Sequence, residues 1–319
     1  MSTLRGTGTG RALGQASKKA PGCVLSIGPG GLAKREAITA YLALLPSLAS
    51  IGLLVWYPFI NSIYHSFTRW DGYNSSWIGL HNYIDIISNG DLWMLLRTNA
   101  VFLLSVPGIL LISLVLSVLL YEQVPGWWLF RSVYYLPTIL SAAVVGMLMK
   151  TMFSPVGAVN QLLKDLGLAF LTTEWLSSTP TAFMVLILAF YWQTLGQGVL
   201  IFLSGLANVS TELFEAARID GASWWQRFWK VTLPLLVPTI AYFMIINVIW
   251  IFVGLFALVY TVTGGGPGYS TTPIDYMIYL KAFQVGDMGY ASALAVILFV
   301  IVAIVSGVQL KIFDKLTTE

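Results

Sequence analysis

Residues 98–121 read Thr98-Asn99-Ala100-Val101-Phe102-Leu103-Leu104-Ser105-Val106-Pro107-Gly108-Ile109-Leu110-Leu111-Ile112-Ser113-Leu114-Val115-Leu116-Ser117-Val118-Leu119-Leu120-Tyr121. Such an apolar run exceeds the roughly 20 residues that cross a hydrocarbon core. Five more of the same kind lie at 37–60, 132–153, 181–203, 235–262 and 291–312. In lipid the backbone must satisfy its own polar groups, so each reads as a transmembrane helix. Pro46, Pro58, Pro107 and Pro137 are tolerated there because neighbouring helices and hydroxyls satisfy the freed carbonyls. The expectation is an all-α membrane protein with six spans, kinked at their prolines.

Composition agrees. Of 319 residues 57% are hydrophobic and only 10% charged, with mean hydropathy +0.79, where an average soluble domain carries about one-quarter charged residues. The net charge of +3 is scattered, and no basic run with interleaved aromatics offers a nucleic-acid groove. Cys23 is the single cysteine and His65 and His81 are the only histidines, which excludes a disulfide framework and zinc chemistry. Ala20-Pro21-Gly22-Cys23 lacks the preceding apolar stretch of a lipoprotein signal, so Cys23 reads as a free thiol. Residues 1–35, rich in Gly, Ser, Thr and Lys/Arg, read as a disordered tail ahead of one membrane domain at 36–319.

Twelve Lys/Arg fall on the side of both termini, against Arg69, Arg97, Lys150, Lys164 and Lys281 on the other. The positive-inside rule then places both termini in the cytoplasm. The external segments 61–97 and 154–180 carry Trp70, Tyr73, Trp77, Tyr83, Trp93 and Trp175, the composition of an interfacial aromatic belt.

Between the fourth and fifth spans lies the hydrophilic loop 210–234. Ser210 or Thr211 can cap a short helix carrying Glu212 and Glu215 near its positive dipole end, and Gly221 should end it. Ser223 with Gln226 three residues on forms a capping-box pattern for a second short helix, with Pro234 leading into the next span. The sequence Glu215-Ala216-Ala217, then Asp220-Gly221-Ala222 and Leu233-Pro234, resembles the EAA signature of ABC importer permeases. Trp56-Tyr57-Pro58, Leu136-Pro137, Thr263-Gly264-Gly265-Gly266-Pro267-Gly268 and Gly289-Tyr290-Ala291-Ser292-Ala293 are similar to sugar-importer permeases of the maltose and glycerol-3-phosphate type, and to the first permease of the usual heterodimer. The likeness covers nearly all of 37–312.

That resemblance implies a multi-pass subunit of a bacterial cytoplasmic membrane, with a second permease, two ATPase subunits and an extracytoplasmic solute-binding protein as partners. It implies that Glu215, Ala216, Ala217, Asp220, Gly221 and Ala222 form the helix that docks on the ATPase. The chain holds no G-x-x-x-x-G-K-[ST] loop, so ATP and Mg are expected on the partner ATPase and no catalytic, cofactor or metal residue is expected here. The solute is expected to be a sugar or sugar-like molecule.

Sugars bind through hydroxyl hydrogen bonds and C–H faces on aromatic rings. Trp192, Gln193 and Gln197 in the fourth span and Asn247 and Trp250 in the fifth are therefore candidate path residues, with Gln193/Gln197 and Asn247/Trp250 each sharing a helical face. Helix packing by the Asn and Gln amides is the alternative. Gly264, Gly265, Gly266 and Pro267 open an external loop whose likeness to the family implies contact with the binding protein, a plain flexible turn being the alternative. A stand-alone secondary carrier would bury ionisable groups near mid-bilayer, and Lys150, the nearest candidate, sits toward a span end where it can snorkel. A membrane enzyme would need a cluster of carboxylates, whereas Asp71, Asp85, Asp91, Glu174, Asp275 and Asp287 are dispersed.

Overall fold

The computed structural model describes residues 32–122 and 127–318. The expected tail falls outside them as far as residue 31, Cys23 included, and the first helix begins at Leu32. The chain divides into two compact units, one ending at Pro58 and one beginning at Phe59.

The first unit holds α1 (Leu32–Ile51) and the π-helical turn Gly52–Trp56. Within α1 the Ser50 hydroxyl donates to the Pro46 carbonyl at 2.8 Å, back-bonding at the turn where proline interrupts the ladder. The wider turn, closed by Tyr57 N donating to Gly52 O, lies just before Pro58, whose missing N–H disturbs the α register there.

Among its described residues the second unit is built of helices and their connecting loops, with one two-stranded antiparallel hairpin, β1 (Thr68–Trp70) and β2 (Ser75–Trp77), which follows α2 (Tyr57–His65). Next come α3 (His81–Ser88), α4 (Asp91–Tyr121), α5 (Trp127–Ile139), α6 (Ala142–Met152), α7 (Ala158–Asp165) and α8 (Thr179–Ala207). After the hydrophilic loop the chain forms α9 (Thr211–Ile219), α10 (Trp224–Arg227) and α11 (Leu233–Leu235). It ends with α12 (Val237–Val253), α13 (Phe256–Val262), α14 (Ile274–Tyr279) and α15 (Met288–Thr318).

Among the described residues four continuous helices are long and apolar enough to cross a membrane: Ala37–His65, Asp91–Tyr121, Thr179–Ala207 and Met288–Lys315. Two bent pairs raise the number to six. Here the structure corrects the picture of merely kinked spans. In the third, Val133–Ile139 and Ala142–Met152 meet at 114°. Pro137 removes a ladder donor, and Ser141 takes the N-cap position of α6 by accepting from Val144 N at 3.4 Å, so the helix restarts in a new direction.

The expected fifth span, 235–262, is likewise divided. A bend of 71° separates Trp224–Leu235 from Val237–Val253, and α12 stops at Gly254 before α13 begins. A Cβ on Gly254 would meet the Trp250 indole at 2.9 Å, so any other residue at this break would displace that ring.

The core lies where α4, α8 and α12 cross. Phe102, Phe190, Phe202 and Phe243 are fully buried, and Phe190 stacks on Trp250 with centroids 5.2 Å apart. The helices approach through small residues, as membrane helices do. A Cβ on Gly198 would meet Ser113 Oγ at 2.5 Å, and Ser117 Oγ donates across to Val199 O at 3.1 Å. On the outside, large apolar side chains such as Leu104, Leu111 and Ile112 stand exposed, as expected where lipid is the solvent.

Candidate functional site

The hydrophilic loop folds as two short helices around a sharp turn. Ser210 caps α9 by accepting from Glu212 N at 3.3 Å. At the other end Gly221 adopts φ +74°, with Gly221 N donating to Arg218 O at 3.1 Å and Ala222 N to Ala217 O at 3.0 Å. This pair of bonds is the Schellman arrangement, which glycine permits at low cost because it lacks a Cβ. The capping box expected at Ser223–Gln226 is formed: Gln226 N donates to Ser223 Oγ at 3.3 Å and Ser223 N to Gln226 Oε1 at 2.7 Å. Lys230 falls in the π-helical turn Phe228–Thr232 that carries α10 toward Pro234.

Glu215, Ala216, Asp220 and Gly221 stand exposed on this element, while Ala217 and Ala222 are half-buried. Between them Ile219 is 86% exposed, an apolar side chain with water on nearly every side. The inner side of α9 presents Phe214 to Tyr121 at the end of α4, with ring centroids 6.0 Å apart.

One carboxylate ties both short helices to the bundle. Glu122 is the C-cap residue of α4. Its Oε2 accepts from Trp224 Nε1 at 3.0 Å, and its Oε1 faces Arg227 Nη2 at 3.5 Å and Arg218 Nη2 at 3.8 Å. Arg227 also donates from Nη1 to Ala222 O at 3.0 Å, bracing the turn itself. Sequence reasoning missed Glu122. The signal was present: it is the sole carboxylate between Asp91 and Asp165 and directly follows an apolar span.

The candidate path residues divide by environment. Gln193 serves the broken third span: its Nε2 donates to Leu140 O at 3.4 Å and its own carbonyl accepts from Thr138 Oγ1 at 3.0 Å. Among the described residues its Oε1 is buried without a hydrogen-bond partner. Asn247 is 4% exposed and donates to Phe243 O of its own helix at 2.9 Å, and Trp250 packs on Phe190. Trp192 is half-buried and Gln197 is exposed.

The glycine-rich loop is tied down from within. Gly264, Gly265 and Gly268 take positive φ, and a Cβ on Gly265 would run into the Thr272 hydroxyl. Thr271, fully buried, donates to Gly266 O at 2.8 Å and pairs with Thr263 Oγ1 at 2.9 Å, while Tyr276 OH reaches Gly264 O at 3.4 Å. Gly264 stays exposed, and Gly266 and Pro267 are half-buried.

Beneath the loop, groups freed by the α12–α13 break and by the start of α14 find distant partners. Asn99 donates to Ile251 O at 2.9 Å and accepts from Ile274 N at 3.2 Å. Asp275 Oδ2 accepts from Phe256 N at 2.7 Å, and Oδ1 from Tyr276 N at 2.9 Å. Burial pushes the Asp275 carboxyl up to about 7, against the opposing pull of these backbone donors. Asn99 had no role assigned from sequence, and Asp275 read only as one of several dispersed acids.

The Gly289-Tyr290 motif also gains a structural account. A Cβ on Gly289 would run into Thr68 O, so α15 passes the hairpin at backbone distance. Tyr290 OH donates to Asp91 Oδ2 at 2.8 Å, with Lys281 Nζ 4.5 Å from the ring centre.

Residues 87–318 match the family described as binding-protein-dependent transport system inner membrane component. The multiple sugar-binding transport system permease protein MsmF of Streptococcus mutans is 33% identical over 266 residues, covering 82% of this chain and 90% of that protein. The probable starch degradation products transport system permease protein AmyD of Thermoanaerobacterium thermosulfurigenes is 31% identical over 287 residues, 89% of this chain and 97% of that one. A chain in the crystal structure of a bacterial ABC transporter involved in the import of the acidic polysaccharide alginate superposes with a TM-score of 0.79. The superposition covers 89% of this chain and 98% of that one at 21% identity, a likeness of fold.

Proposed function

We propose, since the chain belongs to the family of binding-protein-dependent transport system inner membrane components, that it is a permease subunit of an ATP-driven importer for a sugar or sugar-like solute. It lines the membrane path together with a second permease, receives solute from an extracytoplasmic binding protein and is driven by two ATPase subunits that hold ATP and Mg. Both termini face the cytoplasm, in keeping with the excess of basic residues on that side. The sugar class is supported by the relatives, one named for multiple sugars and one for starch degradation products.

The observation that carries the mechanism is the two-sided character of α9. Outward it offers Glu215, Ala216, Ile219, Asp220 and Gly221 to a partner, and inward it is tied to the end of α4 through Arg218 and Phe214. Small Ala216 lets a partner backbone approach closely, and Glu215 fixes its orientation by charge. A partner that closes on ATP would thereby turn the spans between outward-facing and inward-facing arrangements. Trp192, Gln193, Gln197, Asn247 and Trp250 are assigned to the solute path, and Gly264, Gly265, Gly266 and Pro267 to contact with the binding protein.

Reconstituting the whole complex with Glu215→Lys tests the docking assignment: ATP-driven uptake is lost while the subunits still assemble. Uptake at the parent rate in an assembled complex would refute it. For the path, Asn247→Ala with Trp250→Ala should abolish solute-stimulated ATP hydrolysis, and unchanged stimulation removes those two residues from it.

A further inference from the structure

We infer that Glu122 is the positioning residue through which α9 and α10 carry α4 with them, so that movement at the loop becomes movement of a membrane span. The inference rests on the docking of α9 proposed above and extends it to a residue outside the loop. An acid at the C-terminal end of a helix faces the negative end of the helix dipole, which opposes it. At Glu122 that opposition is offset by two guanidinium groups and an indole N–H, from two different helices.

Glu122 and Arg227 are partly shielded, with side-chain exposure of 25% and 17%, whereas Arg218 is 59% exposed. The indole N–H bond to the carboxylate at 3.0 Å is directional and charge-assisted, the Arg227 pair at 3.5 Å adds attraction in a partly shielded setting, and the exposed Arg218 pair at 3.8 Å is the weakest of the three. The neighbouring contact of Phe214 with Tyr121 is apolar and can slide, because hydrophobic contact is non-directional. Glu122 is therefore the link that resists relative motion of loop and span. Along α4, about 34 Å away at 1.5 Å per residue, Asn99 joins Ile251 O, on the α12 side of the α12–α13 break, to Ile274 N at the start of α14. A displacement of the Glu122 end thus reaches a second break in the membrane domain.

The test uses the assembled complex in lipid vesicles with Cys23→Ser, since Cys23 is the sole native cysteine. Spin labels are placed at Leu119→Cys on α4 and at Glu212→Cys on α9, an exposed position outside the docking surface. The distance between them is measured without nucleotide and with MgATP plus vanadate. In the parent it keeps one value in both states, because α4 and α9 move as one body. In Glu122→Ala it shifts with nucleotide by ~2 Å or more, the scale of helix displacements in switching proteins, and Glu122→Asp restores the parent behaviour.

Should Glu122→Ala fail to assemble, Arg218→Ala with Arg227→Ala leaves the indole bond in place and gives the same shift. A nucleotide-dependent distance in the parent, or an invariant one in the assembled variants, overturns the inference. The docking premise is read separately by cross-linking from Glu215→Cys to the ATPase chain. Failure of that cross-link overturns the premise rather than the role of Glu122 as a tie between loop and span.

Discussion

Replacing Gly221 in a graded series isolates the turn between α9 and α10 from every other feature of the loop. Its φ of +74° is a left-handed conformation, and a Cβ built there meets nothing within 4 Å. Within the described residues steric contact therefore contributes nothing, and the cost of Gly221→Ala to the turn itself is the backbone term alone, roughly 1–2 kcal/mol. Gly221→Asn costs less, because asparagine tolerates this region. Gly221→Pro is of a different kind. Proline fixes φ near −65° and lacks the N–H that donates to Arg218 O at 3.1 Å, so the turn loses both its conformation and one of its two closing bonds, about 3 kcal/mol or more. Because α9 has only nine residues, this penalty falls on the local order of the loop and leaves the membrane core intact. In reconstituted complexes of verified assembly, ATP-driven uptake should fall in the order glycine, asparagine, alanine, proline, with proline abolishing it. Equal activity of the alanine and proline variants would refute the argument, since it would mean that the path of the turn does not matter.

Asp275 makes stability depend on pH: its carboxyl rises from 3.8 to about 7 in the folded chain, so the associated stability is present below the unfolded value and lost as pH climbs through about 7. Its ceiling is about 4 kcal/mol. Thermal unfolding in detergent should show a higher midpoint at pH 5 than at pH 8, and Asp275→Asn should reduce that difference, an unchanged one excluding Asp275 as its source. Asn99→Leu should lower the midpoint at both pH values by leaving Ile251 O and Ile274 N without their side-chain partner, about 1–3 kcal/mol for each buried group left unpaired. An unaltered midpoint would show that other groups can satisfy them.

The membrane class and the rough position of the spans were legible in the sequence because transfer into lipid depends on local composition over about 20 residues. The geometry of the loop was legible for a related reason. Ser210, Gly221 and the Ser223–Gln226 pair act within a few residues of themselves, so their spacing in the chain is their spacing in space. The glycine-rich run at 264–268 was readable as a turn, but its bracing by Thr271, Thr272 and Tyr276 was not.

What only tertiary structure decided was the treatment of groups released where helices break. Pro137 announced a disturbance, yet whether the span would kink or turn through 114° depended on Ser141 capping a new helix and on Gln193 reaching Leu140 from α8. Gly254 signalled nothing until Asn99, 152 residues from Ile251, and Asp275 supplied the missing partners. Glu122 looked like an ordinary charge after a hydrophobic run, and its meaning came from Trp224 and Arg227, 102 and 105 positions away. Sequence by itself determined where the chain is apolar and how its short helices begin and end, since those follow from neighbouring residues. The breaks in the spans and the tie between loop and membrane were decided in three dimensions, because an unpaired polar group in an apolar medium takes whichever partner the fold brings within reach.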